Sequence, residues 1–173
     1  MISQIATILL VVSATLAKQV VVQNSANSIL TVSVSGQNDI SLLPHTQVNL
    51  ELESGWSGSI SACSDVCDVT RTSAELNIGA AQDQYAVSLV NGFNLPMKVV
   101  PIGANNCNAA VCAANINRMC PVENQVVNSL GEVKACKSSP MLFHTVCPKA
   151  IVTEGDQLNV QSCNALSYKV IIG

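Results

Sequence analysis

Charged and aromatic residues are scarce in this chain. Charged residues make up 11% of its 173 residues and aromatic residues 3%, so its solubility must come from Ser, Thr, Asn and Gln side chains. The eight Lys and Arg are outnumbered by the eleven Asp and Glu. Without a basic stripe the chain cannot neutralise a phosphate backbone, and we expect no nucleic-acid partner.

Long apolar runs are missing beyond the N-terminus. Residues 1–17, MISQIATILLVVSATLA, hold an apolar core from Ile5 to Val12 and end in small residues. This pattern is typical of a secretory signal peptide, and it predicts a secreted, extracellular chain with one domain over residues 18–173. An N-terminal membrane anchor is the alternative. No later run approaches the roughly 20 apolar residues of a transmembrane helix, so no further membrane association is expected.

The sequence also lacks a Cys-x-x-Cys pair and has only two histidines, His45 and His144. Its eight cysteines all follow residue 17, and an even count behind a signal peptide indicates four disulfides. Zinc is the alternative, because closely spaced thiolates also bind this metal. The cysteine spacing argues against zinc, and we expect neither a metal nor a cofactor. Neither histidine has the Ser or Cys context of a nucleophile, so we expect both at the surface.

Apolar residues recur at every second position through the first hundred residues. In segment 48–53, VNLELE, this alternation places Glu51 and Glu53 on a solvent face. The β-branched runs 20–23 and 29–35 are separated by Asn and Ser, which is typical of a β-hairpin. Short strands at this spacing predict an all-β, antiparallel β-sandwich.

The composition changes from Cys107 onward. The segment CNAAVCAANINRMCP is rich in Ala and Asn and stops at Pro121, which predicts one short helix over about Ala113–Met119. The rest of this half is expected to be loop interrupted by strands. Because most cysteines lie here, we expect loops tied by disulfides.

The order of several motifs along the chain indicates a protein family more specifically than the alternation of apolar residues does. YAVSLVNGFNLPMKVVP is followed by CNAAVCAANINRMCP, VKACKSS, CPKA and a terminal YKVII. Together they resemble the thaumatin-like proteins, a pathogenesis-related family of secreted sandwich proteins. The resemblance is close over residues 75–138 and looser elsewhere. It implies a thaumatin-like β-sandwich with a defence role, such as antifungal action or glucan binding.

The resemblance also implies how the cysteines pair. The implied bridges join Cys63 to Cys67, Cys107 to Cys163, Cys112 to Cys147 and Cys120 to Cys136. The family's first and last cysteines, which normally bridge the termini, are both missing here. The disulfide-rich loop that follows the VKACKSS turn in long members is missing too. This pattern indicates a small form with a shortened second lobe.

Larger members carry an acidic cleft, built from one arginine and four carboxylates, that is held responsible for binding β-1,3-glucan and in some members for weak hydrolysis. When the family's cleft residues are aligned with this sequence one position at a time, the arginine position corresponds to Ser59. The four carboxylate positions fall on Glu75, Ala86, Asn91 and Asp156. The resemblance therefore places the ligand groove at these five residues, of which only two are still acidic.

The two remaining carboxylates, Glu75 and Asp156, are the only catalytic candidates, with Glu154 as a neighbour of the second. Two carboxyls about 5–9.5 Å apart can hydrolyse a glycosidic bond, whereas Asn91 can only hydrogen-bond a sugar. No positive neighbour remains to separate their pKa values. We therefore expect Glu75 and Asp156 to be solvated carboxylates at the edge of a shallower groove.

Three hypotheses of function remain open. The leading one is a monomeric, non-enzymatic protein that binds β-1,3-glucan or another cell-wall polysaccharide. The second is a weak endo-β-1,3-glucanase that uses Glu75 and Asp156. The third is a structural or inhibitor-like secreted protein without a working cleft. Trp56, the only tryptophan, could stack on a sugar, although a tryptophan at a strand end more often covers the core.

Overall fold

The structure, a computed structural model, describes residues 17–67 and 70–173. Except for Ala17, the predicted signal peptide lies outside the described residues. The strands are β1 Lys18–Asn24, β2 Leu30–Val34, β3 Ile40–Leu42, β4 Gln47–Leu52, β5 Ser57–Cys63, β6 Ser73–Asn77, β7 Asp83–Ser88, β8 Met97–Ile102, β9 Ala110–Cys112, β10 Gln125–Val127, β11 Val133–Cys136, β12 Gln161–Cys163 and β13 Ser167–Ile172. One α-helix, α1, covers Pro140–Val146 in the described chain.

Two sheets form the sandwich that the sequence predicts. One sheet has the strand order β4-β1-β13-β8-β9, and the other has the order β12-β7-β6-β5-β2-β3. A two-stranded ribbon of β10 and β11 lies beside them. The pairs are antiparallel except that β1 runs parallel to β13. The prediction of an all-β sandwich with one short helix is confirmed.

The core lies between the two sheets because alternate residues of each strand point inward. Val20 and Val22 of β1 are fully buried, as are Val32 of β2 and Val170 of β13, and they belong to one apolar cluster. Leu50 and Leu52 of β4 also point inward, whereas Glu51 between them is exposed as expected. Burying these side chains is the main contribution to stability, at about 25 cal/mol per Å² of apolar surface.

The predicted hairpin between the first two runs is wrong. β1 pairs with β4 and β13, whereas β2 pairs with β3 and β5, so the chain crosses from one sheet to the other between them. Asn24 is fully buried at this crossing. Its side-chain amide donates to the backbone oxygens of Ser28, Leu42 and Leu43 at 2.8, 3.0 and 3.1 Å. These bonds give partners to carbonyl groups of the crossing segment and of the end of β3.

The predicted helix over 113–119 is also wrong in type and position. Only Ile116–Met119 is helical, as a single 3-10 turn, and β9 occupies the residues before it. The α-helix lies in the segment expected to be loop. It starts after Ser139 with Pro140 in its first turn, where a missing N–H costs nothing, and it buries Phe143. Among the described residues, no helix has the length and apolar character needed to cross a membrane.

All four disulfides implied by the resemblance are confirmed. Cys63 is bonded to Cys67, Cys107 to Cys163, Cys112 to Cys147 and Cys120 to Cys136, and no cysteine is free. The bridge between Cys112 and Cys147 ties the end of β9 to the end of α1. The loop-rich half is therefore held by covalent bonds as well as by packing.

A buried carboxylate joins the two sheets. Asp83 of β7 is 1% exposed, and its Oδ2 accepts hydrogen bonds from Lys18 Nζ at 2.6 Å and from the Tyr168 hydroxyl at 2.7 Å. Its Oδ1 accepts the Gly79 N–H at 3.2 Å. Lys18 and Tyr168 belong to the opposite sheet, so this network sets the two sheets relative to each other. The Tyr85 ring lies 5.1 Å from that of Tyr168.

The two tyrosines of the chain should ionise only when it unfolds in alkali. Burial and the Asp83 charge raise the pKa of Tyr85, and burial and the hydrogen bond to Asp83 raise the pKa of Tyr168 well above its ordinary value. Folding therefore favours the neutral phenols. This contribution to stability is complete below about pH 10, the unfolded tyrosine pKa, and is lost at higher pH. Phenolate absorbance and circular dichroism should change together, and phenolate formation in a still-folded chain would contradict this.

The four disulfides should contribute unequally to stability. The bridge from Cys107 to Cys163 spans 56 residues and the bridge from Cys63 to Cys67 spans four. Loop-closure entropy then predicts losses of about 4 kcal/mol and about 2 kcal/mol when each pair is replaced by serine. Urea unfolding of the two double variants measures this difference. A larger loss for the short-range pair would contradict the expected order.

Candidate functional site

The outer face of the six-stranded sheet carries polar side chains in aligned rows. Ser59 of β5 lies opposite Glu75 of β6, which lies opposite Ala86 of β7. Directly paired residues point to the same face of a sheet, so these three side chains form one row. Their chain neighbours Ile60 and Ala74 are fully buried in the core. The alternation that builds the core therefore also builds this outer row.

An open groove of about 470 Å³ lies along this row. Its lining residues come from the ends of β2 and β5–β7 and from two later segments of the chain. They are Ser35, Ser57, Gly58, Ser59, Ser73, Glu75, Leu76, Asn77, Gln84, Tyr85, Ala86, Asn91, Ile151, Gln157 and Val160. Four of the five positions predicted from the resemblance line the groove, namely Ser59, Glu75, Ala86 and Asn91.

One wall of the groove is attached to β7 by backbone hydrogen bonds. The Leu89 N–H donates to the Ile151 oxygen at 2.7 Å, and the Ile151 N–H donates to the Val87 oxygen at 2.8 Å. This attachment brings Ile151 and the following segment, which includes Gln157, to the edge of the sheet. Ala86, which also lines the groove, is 2% exposed.

Glu75 is the only charged side chain among the described residues that line the groove. It is exposed, and no Lys, Arg or His joins it in the lining. The Tyr85 hydroxyl has no hydrogen to donate to a ligand, because it donates to the Asn108 oxygen at 2.6 Å. The remaining polar groups are hydroxyls and amides. Such a surface can exchange hydrogen bonds with a neutral, hydroxyl-rich ligand.

Asp156 is not among the residues that line the groove. Its Oδ1 accepts the Leu158 N–H at 2.9 Å, and its Oδ2 accepts the Asn159 side-chain amide at 2.9 Å. Both oxygens therefore shape the loop that carries Gln157 to the groove. Glu154, its predicted neighbour, is exposed in the same loop. The structure thus places the two remaining carboxylates in different surroundings.

Sequence reasoning missed Ser35, Asn77, Gln84 and Gln157 in the groove. Asn77 lies opposite Gln84 on the same face as Glu75, so the alternation of β6 and β7 could have indicated both. Ser35 could not have been found this way, because it reaches the groove from a strand distant in sequence. Its hydroxyl accepts the Ser59 N–H at 2.9 Å.

Other residues considered from the sequence lie outside the groove. His45 contacts the Asn27 side-chain oxygen at 3.0 Å, and His144 is exposed on α1. Trp56 is half-buried and packs against the core. No set of three or more His, Cys, Asp or Glu in the described chain is placed to hold a metal.

These features define a class of protein. It is a β-sandwich tied by disulfides, with a polar groove on the outer face of its six-stranded sheet. The family model described as "Thaumatin family" matches residues 53–173. The chain therefore belongs to the thaumatin family.

Curated relatives share part of the chain at substantial identity. A protein from Prunus avium named "Glucan endo-1,3-beta-glucosidase" is 52% identical over 103 residues, which cover 58% of this chain and 41% of that protein. A thaumatin-like protein from Arabidopsis thaliana is 39% identical over 116 residues, covering 66% of this chain and 46% of that protein. The chain thus spans less than half the length of these relatives.

Solved structures share the fold at low identity. A protein elicitor from Magnaporthe oryzae matches with a TM-score of 0.51 and 12% identity, over 90% of this chain and 98% of that one. A thaumatin-like xylanase inhibitor matches with a TM-score of 0.51 and 13% identity, over 88% and 97% of the two chains. At these identities the likeness concerns the fold alone.

Replacing Asp156 should loosen the loop beside the groove. Asp156→Ala removes two hydrogen-bond acceptors and should lower the free energy of unfolding by about 1 kcal/mol. Glu154→Ala is the matched control, since that carboxylate is exposed and no hydrogen bond holds it in the described chain. Urea unfolding measures both variants. Equal stabilities would show that the Asp156 carboxylate does not hold the loop.

Proposed function

We propose that this protein is a secreted, non-enzymatic member of the thaumatin family that binds β-1,3-glucan or a related cell-wall polysaccharide as a monomer. The lining of the groove carries this proposal, since it offers hydroxyl and amide groups around one carboxylate, Glu75. Neutral sugars present many hydroxyls, each of which both donates and accepts. A groove rich in Ser, Asn and Gln matches that pattern.

The open shape of the groove favours binding to a polymer over tight capture of one small sugar. Each hydrogen bond to the ligand replaces one to water and contributes only about 0.5–1.5 kcal/mol. A few such bonds correspond to a dissociation constant of about 1 mM for a short oligosaccharide. An insoluble polysaccharide presents many copies of the ligand, so retention on the polymer is the more sensitive measure.

The surroundings of the two carboxylates favour binding without hydrolysis. Retaining and inverting glycosidases both need a second carboxyl group across the scissile bond. Glu75 lines the groove, but Asp156 accepts hydrogen bonds from Leu158 and Asn159 within its own loop. A glucanase that uses both residues is the second candidate, because one relative bears the name glucan endo-1,3-beta-glucosidase.

Secretion is part of the proposal. The first 17 residues have the pattern of a signal peptide, and we propose that cleavage after Ala17 leaves Lys18 as the first residue. The four disulfides support this, since such bonds persist in oxidising compartments outside the cytosol.

Co-sedimentation with insoluble β-1,3-glucan tests the proposal, with chitin as the comparison polymer. The secreted protein should pellet with the glucan and should release no reducing sugar from laminarin. Asn91→Ala removes an exposed amide from the groove and should lower the bound fraction several-fold. Asn105→Ala is the matched control, since Asn105 is exposed and does not line the groove.

Two results would overturn this proposed function, and each would favour a different alternative. Failure to pellet with either polymer would leave the structural or inhibitor-like hypothesis. Release of reducing sugar that disappears in Glu75→Gln would instead establish the glucanase, because an amide cannot act as acid, base or nucleophile.

A further inference from the structure

A second hollow lies beside the groove, at the end of the sandwich. It has a volume of about 540 Å³ and is lined by turns that follow β2 and β4. Trp56, Glu51 and Glu53 contribute to its lining, together with Gln37 and Ser35. We call it the Trp56 hollow. None of the positions carried over from the resemblance lies in it.

The Trp56 hollow and the groove meet at Ser35, which lines both. Gly58 shows how closely the two are joined. A Cβ atom on Gly58 would lie 2.6 Å from the Ser35 Cβ and 2.9 Å from Cζ2 of Trp56, so only glycine leaves room for this contact. Gly58 itself lines the groove. The two concave surfaces are therefore neighbours across one glycine.

The chemistry of the Trp56 hollow suits a sugar ring. Trp56 packs against the core on one side, and its remaining surface faces the hollow. No residue of the described chain accepts a hydrogen bond from its indole N–H, so this donor is open to a ligand. Glu51 and Glu53 are both exposed, and neither forms an ion pair with another described residue. An aromatic face can stack on a pyranose ring, and carboxylates beside it can accept hydrogen bonds from the hydroxyl groups of the sugar.

We propose that the Trp56 hollow is a second subsite for the neutral polysaccharide that the groove binds. Trp56 stacks on a sugar ring there, while Glu51 and Glu53 accept hydrogen bonds from its hydroxyls. The inference rests on the proposed function, since it extends the same ligand. A neutral chain fits both surfaces, because the groove contributes hydroxyls and amides with one carboxylate, whereas a cationic ligand would gain charge pairing mainly in the hollow.

The only tryptophan of the chain makes the subsite directly observable. Laminari-oligosaccharides of increasing length are titrated against the secreted protein, with heat of binding and tryptophan emission recorded in parallel. Short oligosaccharides should produce heat with little change in emission. Long ones should bind about tenfold more tightly, shift the emission and protect Trp56 from acrylamide quenching.

A double variant with two conservative substitutions tests the residues assigned to the subsite. Glu51→Gln with Glu53→Gln should weaken binding of long oligosaccharides several-fold and leave binding of short ones unchanged. Glu123→Gln is the control for removal of a surface carboxylate elsewhere, because Glu123 is exposed on the 3-10 turn Val122–Asn124 and lines neither surface. Both glutamates of the hollow are exposed, so the substitutions should not disturb folding, and the unchanged affinity for short ligands verifies this.

The outcomes separate this inference from the proposed function. If long oligosaccharides bind no more tightly than short ones and leave the Trp56 emission unchanged, the subsite is overturned. Binding in the groove would then remain. The absence of heat with every oligosaccharide would overturn the subsite, and failure to pellet with insoluble glucan as well would overturn the proposed function. An emission change caused by a lysine-rich peptide but by no oligosaccharide would show that the hollow takes cations, which would also overturn the subsite.

Discussion

The shared register of β5, β6 and β7 is the constraint on which the core and the groove both depend. It buries Ile60 and Ala74 while aligning Ser59, Glu75 and Ala86 on the opposite face. A slip of one residue would exchange the two sets, because side chains alternate with a period of two. The apolar residues resist that slip, since each would lose its burial. The polar row is therefore held in place by the side chains behind it and needs few bonds of its own.

Polar groups at the junctions decide how the two sheets are joined. Asn24 satisfies three carbonyl groups where the chain crosses between the sheets, and Asp83 links one sheet to Lys18 and Tyr168 of the other. Buried polar groups without partners are costly, so these networks favour one arrangement over others of similar apolar burial. Within one sheet, the pairing of β2 with β5 brings Ser35 beside Ser59, where the groove and the Trp56 hollow meet.

The order of motifs was enough to predict the family fold and all four disulfide pairs, because near-identical segments carry a known framework with them. The hairpin between the first two runs failed for a different reason. Alternation shows that one face of a strand is buried, but β1 and β2 bury the same kind of face in different sheets. The helix over 113–119 failed because Ala-rich composition is a weak signal beside the constraints at its two ends. Cys112 before it ends a strand that pairs with β8, and both Cys112 and Cys120 are held in disulfides. The pair Ser139-Pro140 at the start of α1 is typical of a helix N-terminus and could have predicted this helix.

The sequence by itself determined the sandwich, the cysteine framework and the residue types at the five positions of the family's cleft. These depend on local alternation and on aligned motifs, which a linear chain displays directly. Only the tertiary structure decided that Asp156 uses both carboxylate oxygens within its loop and that Ser35 joins the groove to the Trp56 hollow. The physical reason is that a carboxylate accepts only the donors that its folded loop brings within reach. Concave surfaces, in turn, form between segments distant in sequence, here the turn after β2 and the paired strand β5.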